Sequence, residues 1–203
     1  MAGAGLTGLT ANSFNNLQMD AGVFMEDFDW STIATLDELL TAVVTAIDSG
    51  ACLGATSGGM TFSSSPEMRS VELDGMRQDF KGSQIKDKTT VTMETTLTEI
   101  TPENLRRILC ASDVTITGDI TEIRERLNID IDQDYMDSLT WVGDLNDGRS
   151  AAIVLLNCIN TNGTTWTAAD KSNATIPVTF TATNSDFADR NYAPYKLLIF
   201  NKA

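Results

Sequence analysis

The sequence predicts an α+β protein: mainly antiparallel strands forming a β-sandwich or partial barrel, with an α-helix packed against it. Three observations carry this. Gln84 to Thr98 and Thr175 to Thr183 alternate apolar and polar residues, which gives a strand one buried and one wet face. Leu36 to Asp48 repeats apolar residues at helical spacing. Ala151 to Leu156, and Tyr195 to Phe200 apart from Lys196, are apolar on both faces. Such strands need cover on both sides, from a helix and from a second sheet or a neighbouring subunit. At 203 residues, with 42% hydrophobic content and no internal repeat or interdomain linker, one domain spanning 1–203 is expected.

In chain order, the first helix has Thr35 and Glu38 at capping-box spacing and Gly50 as its stop signal. Leu36, Leu39, Leu40, Val43, Val44 and Ile47 form its stripe, so it should cover the core. A glycine-rich stretch, 50–66, leads into strand-like residues that end at Asp74-Gly75. The Gln84 strand turns Ile85, Val91, Met93 and Leu97 to one face and Lys86, Lys88, Thr90, Thr92, Glu94 and Thr96 to the other. A second helix starts at Thr101 as cap, with Pro102 in its first position and Leu105, Ile108 and Leu109 inward. A third is expected from Ile120 to Leu127, with Asp119 as cap and Ile120, Ile123 and Leu127 as stripe. Leu139 to Leu145 and Ser150 to Ile159 flank Asn146-Asp147-Gly148, a hairpin signal. In the last alternating strand Ile176, Val178, Phe180 and Ala182 point inward, and Pro177 suits an edge.

Charge narrows the function. Asp and Glu number 28 against 14 Lys and Arg, a net charge of −14. Gripping a duplex requires clustered cations, and the longest basic run here is Arg106-Arg107. The chain has no histidine, which removes Ser-His-Asp and Cys-His catalysis and histidine-ligated metal sites. Cys52, Cys110 and Cys158 are odd in number, far apart and without CxxC spacing, so buried free thiols in a reducing cytoplasm are expected. The N-terminus has neither the positive charge nor the apolar core of a signal peptide, and no apolar run reaches membrane-spanning length. Without secretion, the sequons at Asn162 and Asn173 mean only turns.

The segment Gly50 to Gly75, GACLGATSGGMTFSSSPEMRSVELDG, invites a phosphate-binding reading. A P-loop needs a preceding strand, a following helix and Gly-Lys-Ser/Thr. Here Gly58-Gly59 is followed by Met60-Thr61-Phe62, the lysine is missing, and the element order is reversed. A mobile surface loop over 50–66, with an assembly or binding role, is expected instead.

Upstream lies Asn16-Leu17-Gln18-Met19-Asp20-Ala21-Gly22-Val23-Phe24. After it come the helix, GATSGGMTF, RSVELDG, a Thr-rich strand running into TPENL, WVGDLNDG and the C-terminal YKLLIF. This ordered set, from about Asn12 to Phe200, resembles the tail tube (major tail) proteins of tailed bacteriophages. Asp113 to Asp137 departs from the compact pattern, as a lineage-specific insertion would, and nothing is carried over onto it. The resemblance implies a non-enzymatic virion protein without cofactor or metal, folded in the host cytoplasm and residing in the virion tail. Family members form hexameric rings that stack into a hollow tube for genome ejection, with the inner sheets of six subunits joined into one barrel. Terminal arms, here 1–13, and long loops hold adjacent rings together. Partners implied are further copies of the chain, tape-measure and tail-terminator or baseplate proteins, and DNA in transit without specific binding. Subunit-interface candidates on the matching motifs are Asn16, Asp20, Phe24, Gly54, Thr56, Gly58, Gly59 and Phe62.

Three acidic groupings offer other chemistry. Asp130, Asp132 and Asp134 imitate the start of a calcium loop, but Tyr135 and Trp141 stand where glycine and glutamate are needed. Glu67, Glu72 and Asp74 would suit a glycosidase pair if one sheet face held two at the right separation, yet nothing in the sequence fixes them. Asp20, Glu26, Asp27 and Asp29 read as surface charge, some of it facing the lumen in an assembled tube. The rival functions are a carbohydrate-binding or glycoside-hydrolysing β-sandwich, and another virion part such as a capsid decoration or tail-completion protein.

Overall fold

The computed structural model describes Ser13, Leu17 and residues 22–185 and 191–201. Among these, the chain is mainly antiparallel β with two helices. The order is β1 (Val23–Glu26), α1 (Leu36–Ser49), β2 (Thr56–Ser70), β3 (Gln84–Leu97), α2 (Pro102–Ile108), β4 (Ser112–Thr117) and β5 (Ile120–Glu125). Then come β6 (Met136–Asp144), β7 (Ser150–Asn160), β8 (Ile176–Ala182) and β9 (Tyr195–Phe200). One sheet runs β1-β6-β7-β8-β3-β2 with β9 also on β7, while β4 and β5 form a separate two-stranded sheet. The Asn162 and Asn173 sequons lie in the exposed connection before β8.

β7 is where the sheet changes direction. Ser150 to Leu155 pair with β9, whereas Cys158 to Asn160 pair with β8. Both lie on the edge away from β6. Between them Asn157 adopts a left-handed φ of 47°, and the Thr183 N–H donates to the Leu156 carbonyl at 3.1 Å. Strands that switch partners in this way make the corners of folded-over sheets. The two halves enclose the main core, with Phe24, Leu139, Trp141 and Leu155 from one and Val91, Met93, Val178 and Phe180 from the other.

Successive strand residues face opposite sides, so Trp141 enters that core while Val142 joins a second cluster beneath α1. There Leu39, Val43 and Ala46 pack on Met25, Val142 and Ala152. The caps of α1 follow the sequence: the Thr35 hydroxyl accepts from the Glu38 N–H, the Glu38 carboxylate accepts from the Thr35 N–H, and Gly50 is left-handed at φ 74°. Its stripe is wider than the surface it covers. Leu40, Val44 and Ile47 are exposed, so the helix uses only one flank of its apolar face. β9 shows the same imbalance: Leu198 and Phe200 pack under α1, whereas Leu197 and Ile199 on the opposite face are open.

The helix expected from Ile120 to Leu127 is β5 instead. Val, Ile and Thr dominate 114–123, and the two-residue connection Gly118-Asp119 closes a hairpin pairing Thr117 with Ile120. Periodicity misled because Ile120, Ile123 and Leu127 fit a helical stripe over barely two turns. The RSVELDG strand also ends early, at Ser70, and Asp74-Gly75 belongs to a turn. The hairpin at Asn146-Asp147-Gly148 forms as its residues predict, with Gly148 at φ 81°. Pro177 pairs with Thr96 of β3 at a point that β7 does not reach, so its missing N–H costs no ladder bond.

Candidate assembly interface

Residues 56–66, expected as part of a mobile loop, are the first two-thirds of β2. β2 pairs with β3 from Thr56↔Leu97 to Ser70↔Gln84. Gly58 and Gly59 sit in a break in the register between Ser57 and Met60, as a bulge. Both are left-handed, at φ 81° and 80°, and a Cβ on either would meet open space. The glycines therefore serve backbone conformation. The Thr95 hydroxyl donates to the Gly59 carbonyl at 3.0 Å and anchors the bulge to β3. Glycine and serine content suggested a loop; pairing to a strongly alternating partner overrides it.

The other interface candidates scatter. Phe24 is a correction: at 2% exposure, paired with Trp141, it is a core residue and cannot touch a neighbour. Gly54 is left-handed, and the Glu99 carboxylate occupies the place of a Cβ while accepting from the Ala55 N–H at 2.9 Å. Gly54 therefore fixes the entry to β2. Thr56 is half-buried at the start of the strand. Phe62 is half-buried against Tyr195, ring centroids 5.2 Å apart. Asn16, Asp20 and most of the 1–13 arm lie outside the described residues. In the DAGV motif, the indole of Trp141 crowds Gly22 so closely that no Cβ fits.

The sequence did not reveal the arm that β2 and β3 build. The first five residues of β3 and their partners from Glu67 to Ser70 are all exposed, so the hairpin runs roughly 15 Å past the core at about 3.3 Å per residue. Arg69 donates two hydrogen bonds to Asp87 across it, from Nε at 3.0 Å and Nη2 at 3.2 Å, and Lys88 faces Glu67 at 4.0 Å. Two tight turns form its tip. The Met76 N–H donates to the Leu73 carbonyl at 2.9 Å, with Gly75 at φ 88°. The Ser83 N–H donates to the Phe80 carbonyl at 3.0 Å, with Gly82 at φ 97°. Each turn opens on a large apolar residue left in solvent, Leu73 at 70% and Phe80 at 66% exposure. Such residues in a Gly- and Asp-rich turn were the available signal.

In the large sheet two strand edges stay open among the described residues, the outer sides of β2 and β9. The outer edge of β1 is covered, since Glu26 and Leu53 N–H groups bond across it to Ala51 and Phe24 carbonyls. An open edge presents unpaired N–H and C=O groups to another chain. A groove of about 980 Å³ lies beside β9, with Trp30, Leu36, Leu198 and Phe200 among its walls.

The Asp130 grouping is bound up in local structure. Asp134 accepts from the Asp130 N–H at 2.7 Å and from Arg126 Nη2 at 2.6 Å, while Asp130 accepts from the Asp132 N–H at 3.0 Å. These carboxylates close a turn rather than converge on a cation. No group of three or more His, Cys, Asp or Glu among the described residues is placed to hold a metal. Burial pushes the Cys158 thiol up to about 12 and raises Cys52 and Cys110 as well, which makes all three poor nucleophiles. No described helix is long and apolar enough to cross a membrane.

Comparison with protein-family models finds no match, and comparison with curated proteins finds none either.

Proposed function

We propose that this chain is a structural subunit that assembles with copies of itself into stacked hexameric rings, as a tail tube protein of a tailed phage. The observation that carries the reading is the β2–β3 arm. A hairpin that leaves the core and ends in exposed Leu73 and Phe80 is costly for a solitary protein, and it gains from burial against a neighbour. The open edges of β2 and β9 supply further sites where backbone can pair between subunits. The half-exposed stripe of α1 and the bare outer face of β9 are likewise surfaces that a subunit lattice would cover. In this reading the tube encloses DNA in transit, and tape-measure and terminator or baseplate proteins bound its length.

Sedimentation of the purified chain over a wide concentration range, with negative-stain microscopy, tests the proposal. Rings or tubes are expected above a threshold concentration. A chain that stays monomeric at high concentration, even with tail-initiation components present, would count against it. Glycan binding by that monomer would favour the carbohydrate-active rival.

A further inference from the structure

We infer that the end of the molecule built by β4, β5 and residues 126–131 is the seat for the β2–β3 arm tip of a second copy. This rests on the self-assembly reading and names the surface that would receive the arm.

The first support is a stability argument. β4 and β5 pair only with each other, and an isolated two-stranded sheet is marginal in water. α2 touches the base of the hairpin, and the Arg126 N–H closes it on the Ala111 carbonyl at 2.9 Å. Toward the turn of the hairpin Ile116 is 73% exposed, and in the segment that follows the base Ile131 is 79% exposed and Leu127 fully so. Val114 and Ile116 share one face of the hairpin with the half-buried Ile123, because Val114 pairs directly with Ile123. An apolar face on so thin a sheet calls for a third layer.

Charge selects the occupant. Residues 112–137 hold eight acidic residues against Arg124 and Arg126, a net −6, so a strongly acidic surface would be repelled there. The arm is the part of this chain that escapes the general excess. From 67 to 88, Glu67, Glu72, Asp74, Asp79 and Asp87 are balanced by Arg69, Arg77, Lys81, Lys86 and Lys88. Among the described residues no carboxylate lies within ion-pair distance of Arg77, Lys81 or Lys86. The tip therefore offers two apolar anchors with uncommitted cations nearby in the sequence, and the seat offers exposed apolar side chains with carboxylates beside them, Asp119 in the turn and Glu125 on the face of Val114 and Ile116.

Topology makes the match usable. The tip joins the N-terminal end of β3, while α2, which carries the β4–β5 hairpin, follows four residues after its C-terminal end. Tip and seat thus lie at opposite ends of a strand roughly 45 Å long at about 3.3 Å per residue. A contact between opposite ends of identical chains is head-to-tail, and when it does not close it propagates as a stack.

The test uses the full chain and measures the threshold concentration for polymer formation by sedimentation. Leu73→Asp with Phe80→Asp, and separately Ile116→Asp with Leu127→Asp, should each raise the threshold at least about tenfold, the cost of losing buried apolar anchors. All four positions are exposed, so the monomers should stay folded by circular dichroism. Arg77→Glu with Lys81→Glu should weaken assembly, and Asp119→Lys with Glu125→Lys in the same chain should restore it. Normal polymer from the Ile116/Leu127 variant, or no rescue by the charge exchange, would overturn the seat. Loss of polymer in the arm variant alone would then leave the tube reading standing. A wild-type chain that never polymerises would remove both.

Discussion

The Arg107 side chain, about one-tenth exposed, shows what single residues do here. It is ion-paired with Glu26 at the end of β1 and donates to the side-chain amide oxygen of Asn104 at 3.1 Å. Asn104, buried, donates in turn to the Leu53 carbonyl at 2.9 Å and the Glu99 carbonyl at 3.2 Å. One network thus joins α2, β1 and the segments flanking β2 and β3. Removing one partner of a buried pair strands the other charge, so Glu26→Ala should destabilise the fold by about 3 kcal/mol in denaturant titration. Neither Glu26 nor Asn104 announces this in the sequence, where the acid reads as surface charge and the amide as part of a helix start. Apolar neighbours predicted all three thiols to be buried, which holds for Cys158, whereas Cys52 and Cys110 are only half-buried. With its thiol held near 12, Cys158 should resist a thiol reagent at pH 8 in native protein and react once denaturant is added.

Elements were legible where local chemistry and tertiary packing agree. Thr35, Glu38 and Gly50 bound α1 because each satisfies backbone groups that any helix end leaves open. The hydrogen bonds from the Ala34 and Thr35 N–H groups hold the Glu38 carboxyl below the usual glutamate range. Its folded pKa being lower than its unfolded one, the cap contributes fully above the ordinary value and is lost as pH falls through the lowered one. Thr35→Ala should cost about 1 kcal/mol at neutral pH. The protection factors of amides in the first turn of α1, corrected for intrinsic exchange at each pH, should fall in acid, and Glu38→Gln should flatten that dependence. β2 was illegible because its serines and glycines say loop while its partner strand says sheet. Its Gly58-Gly59 bulge gives a direct check. Replacing both with alanine forces two side chains into left-handed backbone, at about 1–2 kcal/mol each, without filling any space. A double variant as stable as the parent would show that the bulge is not held as described.

For the whole molecule the decisive quantity is where the charge sits. Since the arm from 67 to 88 is neutral, the full excess of −14 belongs to the rest of the chain. Composition made this excess visible, but only the fold shows that the neutral part is the projecting part. Like-charged bodies resist close packing, so in the proposed assembly a neutral arm would let such a chain contact its copies. The same distribution bears on the proposed channel. With the arms engaged between subunits, the surface left to line a lumen comes from the acidic remainder. Binding of duplex DNA requires many phosphates to be neutralised together, with release of their counterions. Off the arm the cations are sparse, and several are already paired: Arg126 with Asp134 at 2.6 Å, Arg149 with Asp147 at 2.7 Å, and Arg107 with Glu26. Assembled tubes mixed with a short fluorescent duplex at physiological salt should therefore leave the DNA in the supernatant when the tubes are pelleted. Lowering the salt should not recruit it, because reduced screening strengthens repulsion as much as attraction. Co-pelleting that grows as salt falls would mean a cationic wall, and the lumen would have to be rebuilt from the arm's lysines and arginines.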